Sequence, residues 1–269
     1  MPSGDRTVRL DIGGVILHVD GLSGVPLRWA RRRYRPFLTT RRAGVSLVMT
    51  PTRRRLPMID RPSLAWTNGT FELAVGRARV TGDWPSGPIR IAMPARETSL
   101  APVMLRQLAS LLLFQRDGFL LHAAAVVTRG RALLFSGPSG SGKTTVARLA
   151  GRRRVLNDDT VAVRDHGGRF VACATPFFGE AGPAMAARNV TAPLGALFFL
   201  TKANGFAHRR LTAPDVVARA LPQVFLPKRH PAIVERLLAV LPRLAECVPC
   251  YDLAFTPTRA LWDYVDGLA

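Results

Sequence analysis

Short runs of alternating apolar and polar residues dominate the first third of the chain. Residues 7–20 alternate in this way around Gly13-Gly14, which marks a turn. Similar runs follow at residues 45–49, 71–75, 78–80 and 89–93. Each run predicts a β-strand, whereas the basic stretch 26–42 lacks the alternation and is predicted as a loop. We therefore predict a mainly β N-terminal region over residues 1–98.

The apolar spacing changes after residue 98. Residues 100–116 have helical spacing, and apolar runs at 119–127 and 132–135 predict strands. Further strands are predicted at residues 154–157, 194–200, 208–211 and 251–255, and further helices at 145–150, 213–221, 231–246 and 258–265. This mixture of strands and helices predicts one α/β (α+β) domain over residues 99–269.

A glycine-rich segment follows the strand at 132–135 and precedes a helix. Its sequence fits the pattern GxxxxGK[ST], in which backbone N–H groups and a helix start surround phosphate oxygens. Lys143 is expected to reach the terminal phosphates, and the Thr144 hydroxyl to hold Mg²⁺. The predicted nucleotide-binding residues are Gly137, Ser139, Gly140, Ser141, Gly142, Lys143, Thr144 and Thr145.

A histidine precedes this loop on the neighbouring predicted strand. If Arg129-Gly130 forms a two-residue hairpin turn, the antiparallel register pairs Thr128 with Arg131. Stepping back along both strands then brings His122 beside Gly137. We therefore predict an imidazole next to the phosphate-binding loop.

Two adjacent carboxylates follow the next predicted strand. They are Asp158 and Asp159, and fifteen positions separate Lys143 from Asp158, which is enough for one helix and a returning strand. A right-handed crossover would bring both carboxylates to the phosphate-binding edge. One is suited to Mg²⁺ and the other to accepting a proton from an attacking hydroxyl, so both are candidate catalytic residues.

The charge of the chain, 38 basic against 18 acidic residues, gives a net charge of +20. Only Lys143, Lys202 and Lys228 are lysines, so the excess is almost entirely arginine and indicates compositional drift rather than a nucleic-acid surface. An acidic peptide or protein partner fits the same charge. No apolar run is long enough to span a bilayer and no signal-peptide pattern is present, which predicts a cytoplasmic protein. Three cysteines, with a CxxC at 247–250, are predicted to be reduced thiols without a redox or metal role.

The three segments 122–126, 137–144 and 157–161 together resemble the HPr kinase/phosphorylase superfamily. They are most similar to the short HPr-kinase-like kinases of ribosomal, including lasso, precursor peptides. The resemblance implies a mixed β-sheet P-loop kinase core of the HPr kinase and phosphoenolpyruvate carboxykinase type. It also implies that Asp158 is the base acting on a serine hydroxyl, or that Asp158 and Asp159 have the reverse roles.

The resemblance further implies a place for His122 near the transferred phosphate and for Asp159 with Thr144 on the metal side. Glu180 is a candidate additional carboxylate for the metal or the substrate. The chain has Thr144-Thr145 where HPr kinases have serine and glutamate, so the prediction does not extend to HPr as the substrate or to reverse phosphorolysis.

These observations predict an ATP- and Mg²⁺-dependent kinase acting on a serine hydroxyl of a peptide or small protein. Two alternatives stay open at the level of sequence. One is a nucleotide-gated module that binds a peptide or nucleic acid without transferring phosphate, and the other is a kinase of small-molecule hydroxyls. The sequence leaves open whether the protein forms oligomers.

Overall fold

The computed structural model of the chain describes residues 7–22, 24–42, 44–52, 56–83, 87, 89–94, 101–180, 182, 189–225 and 231–268. Within these residues the chain divides into two compact units, the first ending at residue 115 and the second beginning at residue 116. The boundary predicted from the sequence, between residues 98 and 99, precedes the helix that closes the first unit.

The first unit contains a seven-stranded sheet, which agrees with the predicted mainly β region. The strands are β1 (Val8–Ile12), β2 (Val15–Asp20), β3 (Val45–Thr52), β4 (Ile59–Thr67), β5 (Thr70–Gly76), β6 (Ala78–Asp83) and β7 (Ile89–Pro94). Their order in the sheet is β1-β2-β3-β7-β6-β5-β4. The edge strand β4 was not predicted because Leu64 is its single buried residue, so its alternation is weak.

The prediction of a loop over residues 26–42 was wrong, because helix α1 (Gly24–Arg33) and a 3₁₀ turn (Arg35–Phe37) occupy most of it. Leu27, Ala30 and Tyr34 recur at helical spacing and are all buried. The run of arginines between them hides this apolar face in the sequence. The predicted helix after residue 100 is confirmed as α2 (Ala101–Phe114).

The second unit contains a mixed sheet and four helices among its described residues. The strands are β8 (Gly118–Thr128), β9 (Arg131–Ser136), β10 (Arg154–Asn157), β11 (Thr160–Asp165), β12 (Phe170–Cys173), β13 (Thr191–Lys202), β14 (Ala207–Arg210) and β15 (Cys250–Phe255). The helices are α3 (Lys143–Leu149), α4 (Ala213–Ala220), α5 (Pro231–Cys247) and α6 (Ala260–Asp266). The mixed α/β class predicted from the sequence is confirmed.

Three parallel strands organise this second sheet. β13 pairs in parallel with β9 on one side and with β15 on the other, so the carboxyl ends of the three strands lie at one edge. One face of these strands packs against α3 and α6 through Phe135, Phe198, Val146 and Trp262. The sheet edge at which β9 ends therefore lies beside the start of α3.

The hairpin between β8 and β9 has the register predicted from the sequence. Thr128 is paired with Arg131, and Ala123 with Ser136, the last residue of β9. Arg129 and Gly130 both have positive φ angles, which is the geometry of a two-residue type I′ turn. His122 consequently lies one residue beyond the end of β9, where the glycine-rich loop begins.

The CxxC segment has the properties of ordinary thiols. Cys247 is exposed, whereas Cys250 is buried and its Sγ lies 3.3 Å from the carbonyl oxygen of Val248. Burial raises the pKa of the Cys250 thiol to about 12, so its thiolate is not populated at neutral pH. Among the described helices, none combines the length and apolar character needed to cross a bilayer.

Candidate active site

A cavity of about 260 Å³ lies within the second unit, at the sheet edge where β9 and β13 end. It brings together most of the residues selected from the sequence. The lining residues are His122, Ser139, Gly140, Gly142, Lys143, Thr144, Thr145, Arg148, Asp159, Gly179, Glu180 and Lys202. Residues that are far apart in the chain, on three loops, two strands and a helix, therefore share one polar space.

The glycine-rich loop is shaped by glycines that other residues could not replace. Gly137 has a φ angle of 149° and Gly142 one of 107°, both in the region that favours glycine. A Cβ atom on Gly137 would lie 2.9 Å from the Ser141 Oγ, and one on Gly142 would lie 2.7 Å from the Phe255 ring. The loop is therefore folded tightly on itself and against β15, and its backbone faces the cavity.

Two of the predicted nucleotide-binding residues do not line the cavity. Gly137 and Ser141 lie beneath its surface, and Ser141 supports the turn by donating its backbone N–H to the Pro138 carbonyl at 3.2 Å. The Ser141 hydroxyl is buried and has no hydrogen-bond partner among the described residues. Ser141 therefore contributes to the shape of the loop and not to the lining of the cavity.

The Lys143 ammonium lies inside the loop. Its Nζ donates to the carbonyl oxygens of Gly137 at 2.8 Å and Pro138 at 2.9 Å. Burial lowers the pKa of Lys143, and the negative charge of Asp159 opposes that shift. A buried cation whose hydrogen-bond partners are neutral carbonyls is poised to accept an anion in the same space.

The His122 imidazole lies next to the Asp159 carboxylate in the lining of the cavity. His122 Nε2 lies 3.2 Å from Asp159 Oδ1, and each side chain is about one quarter exposed. The residue after His122 is also bonded to Asp159, because the Ala123 backbone N–H donates to the Asp159 carbonyl at 2.9 Å. The edge of the His122 ring contacts the Phe225 ring, with the centroids 5.9 Å apart. The pair is therefore held in place and open to the cavity.

Asp158 and Asp159 lie between β10 and β11, two strands that both pair with β8. β10 pairs antiparallel with Ala125–Val127, and β11 pairs antiparallel with residues 118–122, leaving the two aspartates between them. The structure places Asp159, but not Asp158, in the lining of the cavity. The Asp158 side chain is buried instead, and its Oδ1 accepts the Gly179 N–H at 3.0 Å.

The Asn157 side chain stabilises this turn through four hydrogen bonds. Its Oδ1 accepts the backbone N–H groups of Asp159 at 2.8 Å and Thr160 at 3.0 Å. Its Nδ2 donates to the carbonyl oxygen of Thr175 at 2.9 Å and to the Thr175 hydroxyl at 3.2 Å. Asn157 therefore connects the aspartate turn to the segment that carries Gly179 and Glu180.

The three predicted metal-binding residues, Thr144, Asp159 and Glu180, all line the cavity. Among the described residues, no group of three or more His, Cys, Asp and Glu side chains is close enough to form a metal site by itself. This arrangement is compatible with Mg²⁺, which keeps several waters and takes one or two carboxylates together with substrate phosphates.

Three cavity residues were not given a role from the sequence: Arg148, Gly179 and Lys202. Gly179 packs so closely that a Cβ atom there would lie 2.9 Å from both Asp158 Oδ2 and Asp159 Cβ. Lys202 had a detectable signal, because it is one of three lysines in a chain rich in arginine and ends a long apolar strand. Gly179 lies outside any recognisable motif, so only its tertiary contacts identify it.

Substitution of two loop glycines should separate backbone strain from steric clash. Gly140 has a φ angle of 80° and open space around its Cβ position, whereas a Cβ on Gly142 would meet the Phe255 ring. We expect Gly140→Ala to lower the free energy of unfolding by about 1 kcal/mol through strain alone. We expect Gly142→Ala to lower it by about 3 kcal/mol because overpacking is added. Chemical denaturation measures both, and equal losses would contradict the predicted clash.

Comparison with known proteins gives a family match and a similarity to solved structures. The structure titled HPr(Ser) kinase/phosphatase from Coxiella burnetii matches with a TM-score of 0.33 and 11% sequence identity, covering 55% of this chain and 92% of that chain. A match this distant carries no conclusion about activity. No curated protein matches the chain significantly.

The family match is more extensive. The model of the family described as "SynChlorMet cassette protein ScmC" matches residues 96–268, which include every residue that lines the cavity. Because this match extends over more than half of the chain, the protein belongs to the family described as SynChlorMet cassette protein ScmC.

Proposed function

We propose that the second unit is an ATP- and Mg²⁺-dependent kinase that transfers the γ-phosphate to a serine hydroxyl of a peptide or small protein. The observation that carries this proposal is the shared cavity, in which the loop with Lys143 faces the His122–Asp159 pair. Phosphoryl transfer needs cations and N–H donors for the phosphates and a carboxylate for the acceptor hydroxyl. Both sets of groups are present in the same space.

The loop residues fit a polyphosphate chain. Ser139, Gly140 and Gly142 line the cavity, so their backbone is accessible to phosphate oxygens. The Lys143 ammonium is buried against neutral carbonyls and gains a stronger, charge-assisted partner when a phosphate is bound. ATP supplies the phosphoryl group, and Mg²⁺ neutralises charge on the phosphates when bound.

Asp159 is the residue that we assign as the base. Its carboxylate is partly exposed, lines the cavity and is oriented on one oxygen by His122 and on the other by the Thr160 hydroxyl at 2.7 Å. In the proposed step Asp159 takes the proton of the serine hydroxyl, the hydroxyl oxygen bonds to the γ-phosphorus, and the bond to the β-phosphate breaks with release of ADP. Asp158, which is buried, is assigned to holding Gly179 and the turn.

The Thr144 hydroxyl and the Glu180 carboxylate are the residues that we assign to Mg²⁺. Both line the cavity, as Asp159 does. A hydroxyl and a carboxylate are the oxygen ligands that Mg²⁺ takes, and the phosphates and waters complete its shell. Asp159 can contribute through a bound water.

The acceptor is proposed to be acidic around the serine. The chain carries a net charge of +20, and opposite charge would speed the encounter with such a substrate. A ribosomally made precursor peptide is the proposed acceptor class, and the cytoplasm the proposed compartment, because the sequence resemblance points to such peptides.

The test is mass spectrometry after incubation of the full chain with ATP, Mg²⁺ and a library of serine-containing acidic peptides, with Lys143→Met as the matched inactive control. We expect a phosphate-sized mass gain on a peptide serine with the wild type and at least a hundredfold less with the variant, because Lys143 is the buried phosphate-facing cation. Nucleotide binding without any covalent phosphate product, on peptides or on small hydroxyl compounds, would contradict a kinase and favour a nucleotide-gated binding module.

A further inference from the structure

Lys202 stands at the end of the strand next to the phosphate-binding loop. Phe199 on β13 pairs in parallel with Ser136, the last residue of β9. β13 continues for three residues beyond that pair, so Lys202 lies level with the loop that leaves β9. His122 on β8 lies beyond the end of β9 on the opposite side. The loop is thus flanked by His122 on one strand and by Lys202 on the other.

The Lys202 side chain points to the loop face of the sheet. Phe198 and Leu200 belong to the core that packs against α3, and strand alternation places Lys202 on the same face. Its Cε lies 3.8 Å from the position that a Cβ on Gly142 would occupy. Lys202 therefore lies beside the residue that immediately precedes Lys143, and it lines the same cavity.

The ammonium of Lys202 is available to a ligand. Lys202 is exposed and, within the described part of the chain, has no hydrogen-bond or ion-pair partner. Some other exposed cations of this unit are paired, as Arg209 is with Asp215 and Asp252. Two of the three lysines of the chain, Lys143 and Lys202, line one cavity, although nearly every other basic residue is arginine. An ammonium is a compact charge with three rotatable donors, which suits phosphate oxygens at close range.

We infer that Lys202 is a second phosphate-binding cation, which holds the terminal phosphates of the nucleotide from the β13 side while Lys143 holds them from within the loop. This inference rests on the proposed function, since it names a further contact in the same nucleotide site. The two ammonium groups neutralise the polyphosphate chain, one from within the glycine-rich loop and the other from the neighbouring strand. Lys202 thereby acts on the phosphates themselves and not on the acceptor hydroxyl.

The experiment measures binding, so it does not need the acceptor. The full chain is titrated with a fluorescent ADP analogue, which is then displaced by tripolyphosphate or by a non-hydrolysable ATP analogue. We expect Lys202→Met to lower the affinity for both competitors about tenfold, because one charge-assisted contact is lost. Lys202→Arg keeps the charge with a larger planar head beside Gly142 and is expected to lose only about threefold.

Arg154→Met is the matched control, because Arg154 is an exposed cation at the start of β10 that does not line the cavity. We expect its affinities to stay within about twofold of wild type, since distant exposed charges are screened. The salt dependence of tripolyphosphate affinity should become shallower in Lys202→Met and not in Arg154→Met, a change that a purely structural role would not produce.

The outcomes separate this inference from the function on which it rests. If the wild type binds ADP and Lys202→Met binds both competitors as tightly as wild type, Lys202 does not contact phosphate and the inference fails alone. An equal loss of affinity in Lys202→Met and Arg154→Met would also overturn it, because the loss would then come from the overall positive charge of the protein and not from a contact made by Lys202. A wild type that binds no nucleotide would overturn the proposed function itself.

Discussion

Asp159→Asn is expected to lower phosphoryl transfer to the acceptor by about a thousandfold, while nucleotide binding stays within threefold of wild type. The amide has the shape of the carboxylate but cannot accept the hydroxyl proton, and general-base catalysis contributes about 10²- to 10⁴-fold. In the proposed function the phosphates are bound by the loop and Lys143, whose contacts the substitution leaves in place. The measurement is the transfer of label from γ-labelled ATP to the peptide found in the mass-spectrometric screen, with ADP affinity determined alongside.

Asp158→Asn is the matched control for this prediction. The Asp158 side chain is buried and accepts the Gly179 N–H, so its amide analogue is expected to reduce stability more than it reduces the chemical step. A thousandfold loss of transfer in Asp158→Asn, together with a small loss in Asp159→Asn, would reverse the roles that we assign to the two aspartates.

Asn157→Ala is expected to lower the free energy of unfolding by about 3 kcal/mol and to abolish measurable transfer. The substitution removes all four hydrogen bonds of a fully buried side chain. It leaves the N–H groups of Asp159 and Thr160 and the Thr175 oxygen atoms without this partner in the protein interior, where unsatisfied polar groups cost about 1 to 3 kcal/mol each. Transfer is lost because the turn no longer fixes the direction of the Asp159 carboxylate.

Chemical denaturation and the labelled-transfer assay check this prediction. Asn204→Ala is the matched control, because Asn204 is exposed in the turn between β13 and β14. Its substitution should change the free energy of unfolding by less than about 0.5 kcal/mol. If Asn157→Ala were as stable and as active as Asn204→Ala, the Asn157 side chain would not be what stabilises the aspartate turn.

The parts of the site that could be predicted are those encoded locally. The GxxxxGK[ST] pattern fixes its own geometry, because the glycines permit positive φ angles and the lysine follows at a set spacing. The position of His122 was predictable because a two-residue turn at Arg129-Gly130 determines the register of the hairpin without any distant contact.

Features that depend on distant contacts were missed or left open. Burial of Leu27, Ala30 and Tyr34 stabilises helix α1. The many arginines in this stretch led to the prediction of a loop, because they obscure the apolar face. Asp158 and Asp159 are chemically identical neighbours, and contacts with distant groups such as the Gly179 N–H and the His122 ring give them different surroundings. No pattern within a few residues of the aspartates contains that information.

The sequence by itself determined the mixed α/β class, the phosphate-type loop and the presence of a histidine beside it, because each of these follows from periodicity or from contacts between near neighbours in the chain. Only the tertiary structure decided which aspartate is open to the cavity, that Asn157 and Gly179 hold the turn, and that Lys202 reaches the loop from β13. The physical reason is that burial and charge at these positions are set by residues dozens of positions away, which meet only when the strands of the sheet pair.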